Sequence, residues 1–398
     1  MAKAVLAFSG GLDTTVVVKY LQDEHGLDVV TVTVDVGQGE DYEAVREKSR
    51  ALGAVSHHTI DARREFVLGY IHPAIMANAL YQGKYCLATA LARPLIARKV
   101  LEVARAEGAS ALAHGCSGKG NDQVRFDLAF MSGSDLPILA PIRDKNLDRP
   151  AEIKYAAEHG VEVENVAKRF SIDQNLWGRA IEGGVLEDPF TEPPSDAFIW
   201  TRTEDLPHNP TYLDITFRGG VPVAVDGQEM GPVDIILHLN RTAGEAGVGI
   251  VDHIEDRTVG LKSREVYETP GAVCLIEAHS DLEKMVHTIH QSRVKAAMDA
   301  EWARLTYLGL WDEPLRRDID AFIRNSQGVV SGTVRLRMQG GAVRVVGRRS
   351  DHSLYDQRSA TYGQDSTYDQ RRASGFVELW GAQSAEANRI LRKAEAEQ

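Results

Sequence analysis

The sequence predicts an α/β protein: an N-terminal, mostly parallel sheet with helices on both faces, followed by a second, α+β half. Three observations carry that prediction. Short apolar runs alternate with helical stretches over the first 150 or so residues, and parallel strands need such crossover connections. Two glycine-rich strings fall where a strand pattern gives way to a helix pattern. The 398 residues also exceed the ~250–300 at which a single core stops growing, so more than one domain is expected.

In chain order, Ala4–Phe8 reads as a buried strand and Asp13–His25 as the helix after it. Val29–Val34 is the second strand, Tyr42–Leu52 a helix, and Val55–Ile60 the third strand. A long helical pattern covers Leu87–Glu107, Ala111–His114 is a fourth strand, Asp122–Met131 a helix and Pro137–Ile142 a fifth strand. After about Val166 the texture changes. Leu186–Pro194 is a turn-rich connector, and Tyr212–Phe217 with Val221–Val225 makes a hairpin around Arg218-Gly219-Gly220. Val233–Ala243 is helical, Asp281–Leu308 is long and periodic, and Val329–Met338 with Ala342–Gly347 makes a second hairpin. Ser350–Ser374 is a polar, tyrosine-bearing loop or arm, and Ser384–Gln398 is a terminal helix. The expected domains are therefore 1–166, 167–374 and a C-terminal arm and helix over 375–398.

Composition narrows the classes. The chain is 43% hydrophobic and 26% charged, enough apolar material to build cores and ordinary for a soluble protein. Lys and Arg total 45 against 57 Asp and Glu, a net charge of −12 that argues against a protein coating nucleic acid. Three cysteines (Cys86, Cys116, Cys274) cannot all pair, no apolar run approaches the ~20 residues of a membrane span, and the N-terminus enters a strand pattern with no signal peptide. A soluble, cytoplasmic protein is expected.

The strongest local signal is Ala7-Phe8-Ser9-Gly10-Gly11-Leu12-Asp13-Thr14-Thr15, at the first strand-to-helix junction. Its glycines let the backbone approach a ligand, and the helix start offers free N–H groups to an anion, with hydroxyls of Ser9, Thr14 and Thr15 beside them. There is no Gly-x4-Gly-Lys-Ser/Thr, and no Gly-x-Gly-x-x-Gly follows the first strand. The second string, His114-Gly115-Cys116-Ser117-Gly118-Lys119-Gly120-Asn121-Asp122-Gln123-Val124-Arg125, also begins at a strand end. It mixes glycines, a lysine, an amide, a carboxylate and an arginine, groups that bind phosphate or the charged ends of an amino acid. Read alone it is equally a charged surface loop. Tyr81–Pro94 reads alone as a helix start, and Glu255 and Tyr267 as parts of an ordinary strand and turn. The thirteen histidines show no metal-ligand spacing, so no protein metal site is expected. Cys116 reads as a small packing residue, and the C-terminal arginines as partners in ion pairs.

The Ser-Gly-Gly-x-Asp-Ser/Thr string resembles the pyrophosphate loop of the ATP pyrophosphatases. Together with Ala-Arg93-Pro, the 114–125 string, Leu186-Glu-Asp-Pro, Lys262-Ser-Arg and Tyr267-Glu-Thr-Pro, it makes nearly the whole chain similar to the argininosuccinate synthase family. That resemblance implies an adenine-nucleotide α-hydrolase-like N-terminal domain, a synthetase domain and a C-terminal oligomerisation helix exchanged within a homotetramer. It implies ATP-dependent condensation of L-citrulline with L-aspartate through a citrullyl-AMP intermediate, with ATP as co-substrate and Mg2+ beside it. Ala7, Phe8, Ser9, Gly10, Gly11, Leu12, Asp13, Thr14, Thr15, Val34 and Gly115 would bind ATP. Ser117, Asn121 and Asp122 would bind aspartate; Tyr85, Asn121, Arg125, Ser171, Glu255 and Tyr267 would bind citrulline. No catalytic acid or base is assigned. Ala90 and Ala180 stand where the family often has serine, with Thr89 a candidate to supply the missing hydroxyl. Rival readings are a tRNA-thiolating or amidotransferase relative of the same loop, and a non-catalytic regulator that binds nucleotide or amino acid.

Overall fold

A computed structural model describes residues 2–161 and 169–397. The expected domain boundary at 166/167 lies outside the described residues. Backbone packing divides the chain into Met1–His352 and Ser353–Gln398.

The first unit opens with five parallel strands: β1 (Lys3–Ala7), β2 (Asp28–Asp35), β3 (Ser56–Asp61), β4 (Ala111–Ala113) and β5 (Ile138–Leu139), in the order β3-β2-β1-β4-β5. The central strands are apolar on both sides because both sides are covered. Ala4 and Leu6 pack with Val16–Val18 of α1 (Leu12–Asp23), whereas Val5 and Ala7 join the opposite core with Leu91 and Leu95 of α3 (Ala88–Glu107). A helix α2 (Tyr42–Ala51) follows β2, and α4 (Asp122–Gly133) follows β4. Chain order reverses between β1 and β4, the crevice where open α/β sheets bind ligands. Both glycine-rich strings lie at the carboxyl ends of these two strands.

The rest of this unit holds two antiparallel sheets. One contains β6 (Ser171–Asn175), β7 (Gly178–Glu182), β11 (Ile250–Asp256) and β12 (Lys262–Glu268), in the order β11-β12-β7-β6. The other contains β8 (Thr211–Arg218), β9 (Val221–Val225), β10 (Gln228–Glu229), β13 (Gly332–Gln339) and β14 (Ala342–Arg349), in the order β10-β9-β8-β13-β14. The β6–β7 turn is strapped to the start of α3. Asn175 Nδ2 donates to the Ala88 carbonyl (2.9 Å), Trp177 Nε1 to the Cys86 carbonyl (2.8 Å), and the Leu176 N–H to the Val36 carbonyl (2.9 Å). Trp177 is fully buried, so the hairpin is fixed to the parallel sheet by packing as well as by these bonds.

Several expected elements are corrected. The fifth strand is only Ile138–Leu139, because Pro141 starts a short helix, Pro141–Asp144. The long periodic stretch over Asp281–Leu308 is two helices, Pro270–Val286 and Ile289–Tyr307. They are separated at Thr288, whose hydroxyl accepts from the Gln291 N–H while the Gln291 side chain accepts from the Thr288 N–H. Hydrophobic periodicity runs through the break because both helices face the same core. The strands β6 and β7 had no alternating pattern to announce them.

The second unit, Ser353–Gln398, contains a one-turn helix, Gln357–Ala360, and α5 (Arg372–Ala396). The latter begins earlier than the predicted Ser384; Gly375 and Gly381, poor helix formers, hide its first turns in the sequence pattern. None of its residues is buried, and Phe376, Val377, Leu379, Trp380, Ile390 and Leu391 are all exposed. Among the described residues no helix is long and apolar enough to cross a membrane.

Candidate active site

The carboxyl edge of the parallel sheet opens into a cleft of about 1280 Å³. All the site positions predicted from sequence line it, with one exception. Thr15 is 1% exposed, does not line the cleft, and its Oγ1 has no partner. It sits on the inward face of α1, where the motif's last hydroxyl cannot reach a ligand.

The first string turns sharply at Gly10, whose φ of +74° suits glycine. The chain is then pinned from both ends: the Phe8 N–H donates to the Val32 carbonyl (2.8 Å), Thr33 Oγ1 donates to the Phe8 carbonyl (2.7 Å), and Lys48 Nζ of α2 donates to the Gly10 carbonyl (2.6 Å). No side chain caps the N-terminus of α1, so its leading N–H groups remain available to an anion. Ser9 Oγ accepts from the Gly11 N–H and lies 3.3 Å from Thr14 Oγ1, holding both hydroxyls at the mouth. Gly115, in the second string, packs directly on this loop: a Cβ there would lie 3.0 Å from Thr14 Cγ2 and 3.1 Å from the Thr14 nitrogen. The two strings are therefore one surface. Behind it Glu152, which the sequence did not single out, is 5% exposed. Burial and the neighbouring Asp13 push its carboxyl up to about 8, so it stays neutral beside a site suited to anions.

Val34, next to last in β2, lies at the cleft wall, 3% exposed, and its carbonyl accepts from Gln38 Nε2 (2.8 Å). Farther along, Asp122 opens α4 between two guanidinium groups. Arg93 Nε donates to its Oδ2 (2.8 Å) and Arg125 Nη1 to its Oδ1 (3.0 Å). Burial opposes the charge, but the two arginines outweigh it and hold the Asp122 carboxyl below the usual range. Arg93 also pairs with Asp173 of β6. Burial pushes Asp173 the other way, up, since it shares its one arginine with Asp122. Cys116 is partly exposed, and burial pushes its thiol up, so it behaves as a packing residue rather than a thiolate.

Arg125 is 3% exposed and directs four of its five N–H groups at protein acceptors: Nε and Nη2 at the Tyr307 carbonyl (both 3.1 Å), Nη1 at Thr89 Oγ1 (3.1 Å) and Asp122. Thr89 Oγ1 lies 2.7 Å from the Tyr85 hydroxyl, and the Tyr85 ring stacks on Tyr267 at 4.4 Å. Tyr267 donates to Glu255 Oε2 (2.9 Å), and Tyr307 donates to Glu255 Oε1 (2.5 Å). Asn121 is held on both sides, its Nδ2 donating to the Tyr307 hydroxyl (2.9 Å) and its Oδ1 accepting from the Thr258 N–H (2.8 Å). Tyr307 thus joins Asn121, Arg125 and Glu255, and no sequence motif marked it. Ser171 and Ala180 line the cleft from the β6–β7 hairpin, while Ala90 is 1% exposed and lies outside the lining.

Among the described residues no cluster of three or more His, Cys, Asp and Glu side chains is arranged to hold a metal. The C-terminal arginines that lie in the second antiparallel sheet include two with acid partners, Arg335 with Asp214 and Arg348 with Asp281.

Comparison with known proteins fits this geometry. Residues 3–162 match the family described as the arginosuccinate synthase N-terminal HUP domain, and residues 170–387 match the arginosuccinate synthase C-terminal domain. The chain is 51% identical over 391 residues to the argininosuccinate synthase of Pyrococcus furiosus, covering 98% of this chain and 95% of that protein. It is 50% identical over 393 residues to that of Methanothermobacter thermautotrophicus and 51% identical over 391 residues to that of Pyrobaculum aerophilum, in both cases covering 98% of each chain.

Proposed function

The chain belongs to the argininosuccinate synthase family, and from that membership we infer what each part of the cleft does. The reaction is the ATP-dependent condensation of L-citrulline with L-aspartate to argininosuccinate, AMP and pyrophosphate. The observation that best supports the assignment of roles is the contact of Gly115 with Thr14: it merges an anion-binding helix start with a string of amino-acid-binding groups in one cleft.

In this reading the N–H groups around Ser9–Thr14 take the β and γ phosphates, with Val34 and Gly115 beside the nucleoside. Tyr85, Asn121, Arg125, Ser171, Glu255 and Tyr267 hold citrulline, and Ser117, Asn121 and Asp122 hold aspartate. The ureido oxygen of citrulline attacks the α phosphorus, and the bond to the bridging oxygen breaks as pyrophosphate leaves into the amide cradle. The aspartate amine then attacks the activated carbon and AMP departs. Most of the acceleration would come from positioning and from fixed donors aimed at the developing charge. Magnesium would arrive on the phosphates of ATP, neutralising the leaving pyrophosphate. With no three-residue ligand set among the described residues, Asp13, which lines the cleft at the loop, would meet its hydration shell. We further propose a cytoplasmic homotetramer, supported by the exposed apolar side chains of α5.

The test is a pyrophosphate-release assay omitting each substrate in turn. Release that requires citrulline, and argininosuccinate that requires aspartate as well, is the expected result. ATP binding without citrulline-dependent release would overturn the reading.

A further inference from the structure

We propose that Glu182 is the general base that takes the proton from the α-ammonium group of aspartate in the second half of the reaction. The proposal rests on the assignment of the two amino-acid subsites above, and it starts from where the side chain stands. Glu182 is the last residue of β7 and lines the cleft. Its register partner on β6 is Ser171, in the citrulline subsite. On its other side, Arg257 Nη2 donates to Glu182 Oε2 (2.6 Å) while Arg257 Nη1 donates to the Lys119 carbonyl (3.3 Å), within the string that carries Ser117, Asn121 and Asp122. Glu182 therefore lies between the residues assigned to the two partners that must join.

Its bonding leaves it free to act. Arg257 serves two carboxylates, Glu182 and Glu265 of β12, and Glu265 has the fuller share: Arg257 Nη2 at 2.8 Å, Arg257 Nε at 3.3 Å and Ser263 Oγ at 2.6 Å. Glu182 Oε1 carries no protein hydrogen bond among the described residues, and the side chain keeps 43% of its exposure. The other carboxylates of the two subsites are engaged: Asp122 and Asp173 by Arg93, Glu255 by Tyr267 and Tyr307. The charged groups facing Glu182 are Glu265, Arg257 and Asp122. Burial in the cleft wall acts first, Glu265 adds to it, and Arg257 opposes; the carboxyl is pushed up to about 7, which suits a base working near neutral pH.

The step balances. One N–H bond of the ammonium breaks and its proton passes to Glu182 Oε1. The freed nitrogen lone pair forms the C–N bond to the ureido carbon, a second N–H proton of that nitrogen passes to the imine nitrogen of the neutral isourea intermediate to make the guanidinium, and the C–O bond to the phosphate breaks with its electron pair leaving on AMP. The exposed carboxyl then returns its proton to water.

Glu182→Gln separates the halves. Citrulline-dependent exchange of labelled pyrophosphate into ATP, without aspartate, reports adenylation; rapid-quench formation of argininosuccinate reports the aspartate step. We expect exchange within about threefold of the wild type and argininosuccinate formation slowed ~100-fold. In the wild type the aspartate step should lose rate as pH falls through about 7, and in Glu182→Gln that limb should vanish. Unchanged argininosuccinate formation in the variant, or an equal loss in both halves, would overturn the proposal. If the variant does not fold, the wild-type profile decides: no acid limb near 7 in the aspartate step overturns it. Absence of citrulline-dependent exchange in the wild type would instead sink the underlying assignment.

Discussion

Tyr307→Phe removes one oxygen from the centre of the proposed citrulline subsite and little else. That oxygen donates to Glu255 Oε1 at 2.5 Å and accepts from Asn121 Nδ2 at 2.9 Å. The ring stays, with its stacking on Tyr81, and so does the backbone carbonyl that receives Arg125. Glu255 is 2% exposed and keeps the Tyr267 hydroxyl, so it remains partly satisfied but loses its shorter bond. A hydrogen bond to a buried charged acceptor contributes about 1.5–3 kcal/mol. At ~1.4 kcal/mol per tenfold, kcat/KM for citrulline should fall by roughly 10- to 150-fold. Among the described residues no hydrogen bond or ring contact joins Tyr307 to the Ser9–Thr14 loop, so KM for ATP should stay within about twofold, a split a merely loosened fold would not produce. The assay is steady-state kinetics with each substrate varied at saturating levels of the other two. A folded variant with citrulline kcat/KM within about twofold of the wild type would refute the positioning role of Tyr307.

Gly115→Ala should drive its new methyl against the Thr14 backbone at the start of α1, 3.1 Å from the nitrogen. With overpacking costs of about 1–3 kcal/mol, titration with a non-hydrolysable ATP analogue should show affinity reduced ~10-fold, and unchanged affinity would contradict the joining of the two loops. Asp299, 9% exposed and bonded to Lys295, is pushed up to about 7 by burial, so the folded chain holds a proton that the unfolded chain has lost above about pH 4. Its contribution to stability therefore falls as pH rises from about 4 to 7. The stability of Asp299→Asn relative to the wild type should then rise over that window by about 1–3 kcal/mol in denaturant titrations, and a flat or falling difference would count against it. Deleting residues 372–398 should lower the mass seen by light scattering, because it removes the six exposed apolar side chains of α5 that are proposed to meet partner chains; an unchanged mass would rule out assembly through that helix.

What the sequence made legible was what lies close together in it. The phosphate loop is one contiguous string whose glycine geometry and free helix start follow from local chemistry, and the same holds for residues 114–125. Thr15 shows the limit: the motif includes it, but the helical repeat turns it inward. The residues that complete the subsites come from ordinary-looking positions. Asp173 and Glu182 reach the cleft only through the register of β6 with β7, Arg257 sits just after a strand, and Tyr307 ends a helix whose periodicity speaks only of packing. Charge accounting finds such residues once the fold is known, because each buried carboxylate must have a partner. The two alanines at positions where the family often has serine illustrate the same point. Ala90 is buried in the core and lies outside the cleft lining. One residue earlier, Thr89 Oγ1 lies between the Tyr85 hydroxyl and Arg125 Nη1, so a hydroxyl is present at this turn of α3 and is already tied to two residues proposed to hold citrulline. Ala180 is different, since it lines the cleft and pairs in register with both Asp173 and Tyr267. A serine hydroxyl there would sit beside Asp173, whose charge burial disfavours. Its absence leaves Arg93 as the polar partner that orders Asp173, which ties the wall proposed for citrulline to the same guanidinium that holds Asp122, proposed for aspartate.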